Sequence, residues 1–68
     1  MANINRIKIS RVKPMLIQYF SDSRPVNKDT LYERVEEDTI AVADKEGFIY
    51  LADNEYRITS RGKAYRDE

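Results

Sequence analysis

The chain has 68 residues, 41 % hydrophobic and 35 % charged, with no Cys, no His and a formal net charge of zero. That length supports one small domain with little stability to spare. The missing Cys and His exclude disulfides, thiolate chemistry and the usual general base, and leave only all-oxygen metal ligation.

With Gly47 and Gly62 the only glycines, no phosphate-cradling loop exists, and no serine has a base beside it. A non-enzymatic chain without a cofactor is expected. No apolar run reaches the length of a membrane span, and residues 1–13 alternate apolar with polar rather than forming a signal peptide. A cytoplasmic protein without a membrane partner is expected. The zero sum of charges hides a pattern. Residues 1–28 carry Arg6, Lys8, Arg11, Lys13, Arg24 and Lys28 against Asp22, about +5. Residues 29–55 come to about −7 and residues 56–68 to about +2.

Residues 1–13 read as a basic N-terminal segment ahead of a domain over 14–68. Within the segment, Ile7-Lys8-Ile9-Ser10 alternates like a short strand, to be paired at a sheet edge or left as a loose arm. Val12, Met15, Leu16, Tyr19 and Phe20 then share one helical face, and Pro14 suits a first helical position. The first helix is therefore expected over about Pro14–Ser21, with a start near Arg11 the alternative. Asp22-Ser23-Arg24-Pro25 makes a turn, and Val26 is extended. Asn27 caps a second helix whose seam is Leu31 and Val35, with Tyr32 beside them. Glu36-Glu37-Asp38 ends it, with Asp38 the expected cap of a third helix built on Ile40, Val42 and Ala43. Gly47 closes that helix in the left-handed conformation.

Phe48–Leu51 and Tyr56–Ile58 are β-rich runs around Asp53-Asn54, two residues that tolerate positive φ. A two-residue loop there sets Leu51 against Tyr56, Tyr50 against Arg57 and Ile49 against Ile58. The predicted buried face is Ile49, Leu51, Tyr56 and Ile58. Phe48, Tyr50 and Arg57 fall on the other, where Tyr50 and Arg57 can stack. Thr59 caps a last short helix, with Gly62 allowing close approach and Tyr65 turned inward.

This order is α+β: helix, short strand, helix, helix, β-hairpin, short helix. It resembles a winged-helix domain. Arg24-Pro25-Val26-Asn27-Lys28 looks like that family's strand into its helix-turn-helix, and Lys45-Glu46-Gly47-Phe48-Ile49 like its exit into the wing. Tyr56-Arg57-Ile58-Thr59-Ser60-Arg61-Gly62-Lys63-Ala64-Tyr65 is similar to the wing's return strand and following helix in MarR and PadR-like regulators. The resemblance spans about residues 14–66. It implies sequence-specific DNA binding and transcription regulation, with the third helix in the major groove.

The residues themselves divide between two functions. For DNA, the candidate contacts are Arg6, Lys8, Arg11, Lys13, Lys28, Lys45 and Arg57, with Asn27 and Thr39 as polar additions. The expected recognition helix, about Thr39–Glu46, has Lys45 as its one cation, and the wing tip Asp53-Asn54-Glu55 is acidic. The alternative is a protein-interaction module or inhibitor. Its candidates are Glu33, Glu36, Glu37, Asp38, Asp44 and Glu46, with Tyr32, Phe48 and Tyr50 as anchors. For any one of these side chains a plain solvated surface or partial core role is the commoner fate. A weak homodimer is also expected, through Ile7–Ile9 or through the hairpin face bearing Phe48 and Tyr50.

Overall fold

Val12, Met15 and Leu16 recur at helical spacing, and the computed structural model buries all three on α1 (Ala2–Tyr19), with Phe20 just beyond. The structure describes the backbone of residues 2–68 and the side chains from Ser10 onward. The helix is longer than expected. Its backbone runs through Ile7–Ile9, so the alternating strand or arm read there is not present, and the division expected between residues 13 and 14 falls inside α1. The side chains of Arg6, Ile7, Lys8 and Ile9 lie outside the described residues. Pro14 sits within the helix, on its exposed side. It forfeits one intrahelical bond there, a loss that the buried stripe on the opposite face outweighs.

After the turn, β1 (Val26–Asn27) leads into α2 (Lys28–Arg34). Asn27 caps α2 as its residue type predicts: Oδ1 accepts from the Asp29 N–H at 2.9 Å and the Thr30 N–H at 3.2 Å. Val35 leaves the helix in extended geometry, and Leu31 on its inner face is fully buried. The next cap is Glu36, not Asp38. Its carbonyl accepts from Thr39 and Ile40, and its side chain makes no cap bond. Glu37 and Asp38 instead occupy the first turn of α3 (Glu37–Lys45), where carboxylates favour the positive end of the helix dipole. At the far end Gly47 has φ +79°. Phe48 N–H returns to the Ala43 carbonyl at 2.9 Å and Gly47 N–H to that of Asp44 at 3.0 Å, the paired bonds of a Schellman ending.

β2 (Ile49–Ala52) and β3 (Glu55–Ile58) pair antiparallel in the expected register, Ile49 to Ile58, Tyr50 to Arg57 and Leu51 to Tyr56. Asp53 and Asn54 both take positive φ, 52° and 65°, as a tight two-residue turn demands. β3 is central, because β1 adds to its other side through Val26–Tyr56 and Asn27–Glu55. The face assignment needs two corrections. Leu51 shares a face with buried Ile49 and Tyr56 yet is 45 % exposed, because it lies on the outermost strand toward the turn, past the cover of the helices. Phe48 is buried at 5 % exposure, because it still belongs to the helix ending and stacks on Tyr65, ring centroids 4.5 Å apart.

α4 (Ser60–Asp67) begins at Thr59, whose Oγ1 accepts from Gly62 N–H at 2.9 Å. The same hydroxyl reaches the carbonyls of Gly47 at 2.6 Å and Phe48 at 3.1 Å, so it locks the end of α3 to the start of α4. At the other end Arg66 Nη1 donates to the Phe20 carbonyl at 2.5 Å and to Ser23 Oγ at 3.1 Å, tying α4 to the end of α1. The core is thus a layer of α1, α3 and α4, with Leu31 of α2, against one face of a three-stranded sheet.

Candidate interaction face

The register of α3 decides what the molecule offers on this side. Its buried positions are Thr39, Ile40 and Ala43, which turns Glu37, Asp38, Ala41, Asp44 and Lys45 to solvent. Three carboxylates and one ammonium therefore line the exposed row. The hairpin turn adds exposed Asp53, and Glu33 is exposed on α2. Glu36 is exposed but engaged by Arg11 at 3.0 Å, and Glu46 is half-buried and meets Arg61 at 4.0 Å. Such surface pairs contribute little to stability.

Two tyrosines join α2 to the sheet. The rings of Tyr32 on α2 and Tyr56 on β3 meet edge to face, centroids 6.1 Å apart and hydroxyls 2.9 Å apart. Burial raises the Tyr56 hydroxyl well above its ordinary pKa, helped by the Tyr32 hydrogen bond and by Tyr32 and Asp44 charge. α3 itself lies against β2. Tyr32 remains 41 % exposed and Leu51, across the strands from Tyr56, is also half-exposed. The two border one buried ring and form an apolar step around it.

The basic candidates lie elsewhere and are partly engaged. Lys13 Nζ donates to the Glu68 carbonyl oxygen at 2.6 Å, and Arg57 turns to Glu55 at 3.4 Å instead of stacking on Tyr50. The cation–π contact among the described residues is Arg61 over Phe48, 5.4 Å from the ring centre. Asn27 spends its carbonyl oxygen on the cap of α2. Thr39 is 3 % exposed and Phe48 nearly as buried, so neither presents a side chain at the surface. Lys28 is half-buried, and Lys45 is exposed within the acidic row. Leu51 is the surface residue that the sequence reading missed; its place on the outermost strand was the available signal.

A shallow cleft of about 340 Å³ between α1 and the α2–α3 junction is lined by Arg11, Met15, Gln18, Tyr19, Arg34 and Glu36. Its chemistry is mixed. Glu36 already answers Arg11, and no group of three or more acidic side chains among the described residues is arranged to hold a metal ion. Within the described residues no helix is long and apolar enough to cross a membrane. No family model, curated protein or solved structure matches the chain.

Proposed function

We propose that this chain is a protein-interaction module of the winged-helix type, in which α3 and the hairpin wing dock a basic protein surface. The element order and the antiparallel sheet with β3 in the middle support the winged-helix reading. One observation carries the choice of partner: the outward row of α3 is Glu37, Asp38, Ala41, Asp44 and Lys45. In the usual winged-helix docking that row enters the major groove, where it would meet phosphates and acceptor-rich base edges. Three carboxylates in that position repel a duplex and attract Lys and Arg. Tyr32 and Leu51 supply the apolar anchor, the pattern of an interface core with a charged rim.

The other reading is the DNA-binding regulator that the resemblance implies, with the charge pattern assigning its main contacts to Arg6, Lys8, Arg11 and Lys13 of the basic N-terminal segment. A titration separates the two. The labelled protein is mixed at low and moderate salt with mixed-sequence duplex DNA, and separately with a short peptide of alternating Arg and Leu. The expected result is peptide binding that falls in the variant Glu37→Gln/Asp38→Asn/Asp44→Asn, with negligible duplex binding. Salt-sensitive duplex binding that is lost when the four α1 cations are neutralised overturns the proposal and selects the DNA regulator.

A further inference from the structure

One flank of α4 carries a patterned stripe. Arg61, Ala64, Tyr65 and Glu68 stand at i, i+3, i+4 and i+7, which sets them on one face of the helix. With Glu46 and Phe48 they line a cleft of about 360 Å³, its wall formed by the stacked rings of Phe48 and Tyr65. Arg61, Ala64 and Glu68 are exposed and Tyr65 is half-buried, so all four side chains can be reached from outside.

The stripe is cationic at one end and anionic at the other. Arg61 meets Glu46 only at 4.0 Å with 66 % of its side chain exposed, so most of its N–H donors stay open. The Glu68 carboxylate has no ion pair among the described residues; Lys13 Nζ holds its backbone oxygen instead, at 2.6 Å. Between the two charges lie one small side chain, Ala64, and one large, Tyr65. Such a stripe is complementary to itself when reversed. Residues 61 and 68 are equally far from the midpoint between 64 and 65. A two-fold axis through that midpoint sets Arg61 against Glu68 of a second copy and Ala64 against its Tyr65, and the reverse. Each end of the contact then gathers Arg61 and Glu46 of one copy with Glu68 and Lys13 of the other, two charges of each sign.

We infer that this flank of α4 is a homodimer interface, in which two copies pair α4 antiparallel about an axis between Ala64 and Tyr65. Ala64 lets the helices approach and leaves room for Tyr65 of the second copy. The contact is made by side chains alone and needs no backbone group of either helix. α4 has eight residues, about 12 Å of helix, so the interface is smaller than a standard stable one. The dimer is therefore weak and concentration-dependent. None of the four stripe residues belongs to the exposed row of α3, and the two proposals stand or fall separately.

Charge reversal tests the register. In sedimentation across a concentration series, Arg61→Glu and Glu68→Arg should each weaken self-association about tenfold, because each turns two attractive pairs into repulsive ones. The double variant Arg61→Glu/Glu68→Arg should recover it. So should an equimolar mixture of the two single variants, whose chains repel their own kind and match each other. That recovery is specific to the interface, since Glu68→Arg does nothing to mend the Arg61–Glu46 contact within one chain. Lys63→Glu, outside the stripe, should leave association unchanged. Should Arg61→Glu fail to fold by circular dichroism, Glu68→Arg and Ala64→Lys decide, because both alter exposed side chains and both should weaken the dimer. A wild-type chain that stays monomeric at its solubility limit overturns the inference. So does full association in Glu68→Arg or Ala64→Lys, or a loss in the single variants that neither the double variant nor the mixture reverses.

Discussion

Replacing Gly62 with alanine puts helix propensity and tertiary geometry in direct opposition. A Cβ on Gly62 would lie 2.2 Å from the Phe48 carbonyl oxygen, 2.7 Å from Ile58 Cγ1 and 3.0 Å from the Phe48 carbonyl carbon. The nearest obstacle is backbone. It is held by the Thr59 N–H and by Thr59 Oγ1, so it cannot swing aside as a side-chain tip could. Relief requires α4 to retreat from Phe48 and β3 by about 1 Å, an overpacking strain of about 1–3 kcal/mol. That retreat also stretches the Thr59 cap on Gly62, worth about 1 kcal/mol. Against this, Gly→Ala inside a helix gains about 1 kcal/mol. The balance is a loss of about 1–3 kcal/mol from a total of roughly 3–10 kcal/mol for a chain this long. Urea unfolding followed by circular dichroism should show Gly62→Ala with a lower midpoint and an unchanged slope. A midpoint equal to or above wild type would mean that local propensity wins and that α4 does not sit this close to Phe48 and β3.

The same assay separates the two faces of β2: Ile49→Asp should leave no folded population, whereas Leu51→Asp should cost under about 1 kcal/mol, since only the first buries a charge. Thr59→Val keeps the shape but removes the cap and the hydroxyl bonds to Gly47 and Phe48, so a loss of about 1–2 kcal/mol is expected. The raised Tyr56 pKa means that the folded chain holds that proton more tightly than the unfolded one. Its contribution is therefore complete below the unfolded value, about pH 10, and is lost as pH rises further. Tyr56→Phe should be less stable at neutral pH and should lack that part of the alkaline decline; an unchanged decline would count against the Tyr32–Tyr56 pair as its source.

Elements that rest on local chemistry are legible in the sequence alone. Asn27, Thr59 and Gly47 each have a residue type with one favoured role at a helix end, and each plays it. Asp53-Asn54 and the alternating apolar pattern fixed the hairpin register for the same reason. The errors arose where burial depends on distant neighbours. Leu51 has the right parity for the core, but parity does not say how far the helical layer extends over a strand. β propensity places Phe48 in the strand, although the Schellman ending, which depends on Gly47, governs its direction. Pro14 favours a helix start by a local rule, while the stripe Val12–Met15–Leu16 carries the helix through it. The acidic character of α3 was legible in composition, and the missing piece was which carboxylates the helix turns outward.

The carbonyl of Asn54, in the hairpin turn, accepts from the Lys28 N–H at 2.8 Å, so the β1–β3 ladder runs on into the first residue of α2. A hairpin anchored on one side can breathe about its base, whereas this one is pinned at its tip as well. Opening the tip must break the start of α2, which in turn is braced by Asn27 and by buried Leu31. In amide hydrogen exchange, Lys28 and the β3 amides that face β1 should open as one cooperative unit. Whatever binds this face would then meet a surface already set before contact, and would give up little order in settling onto it.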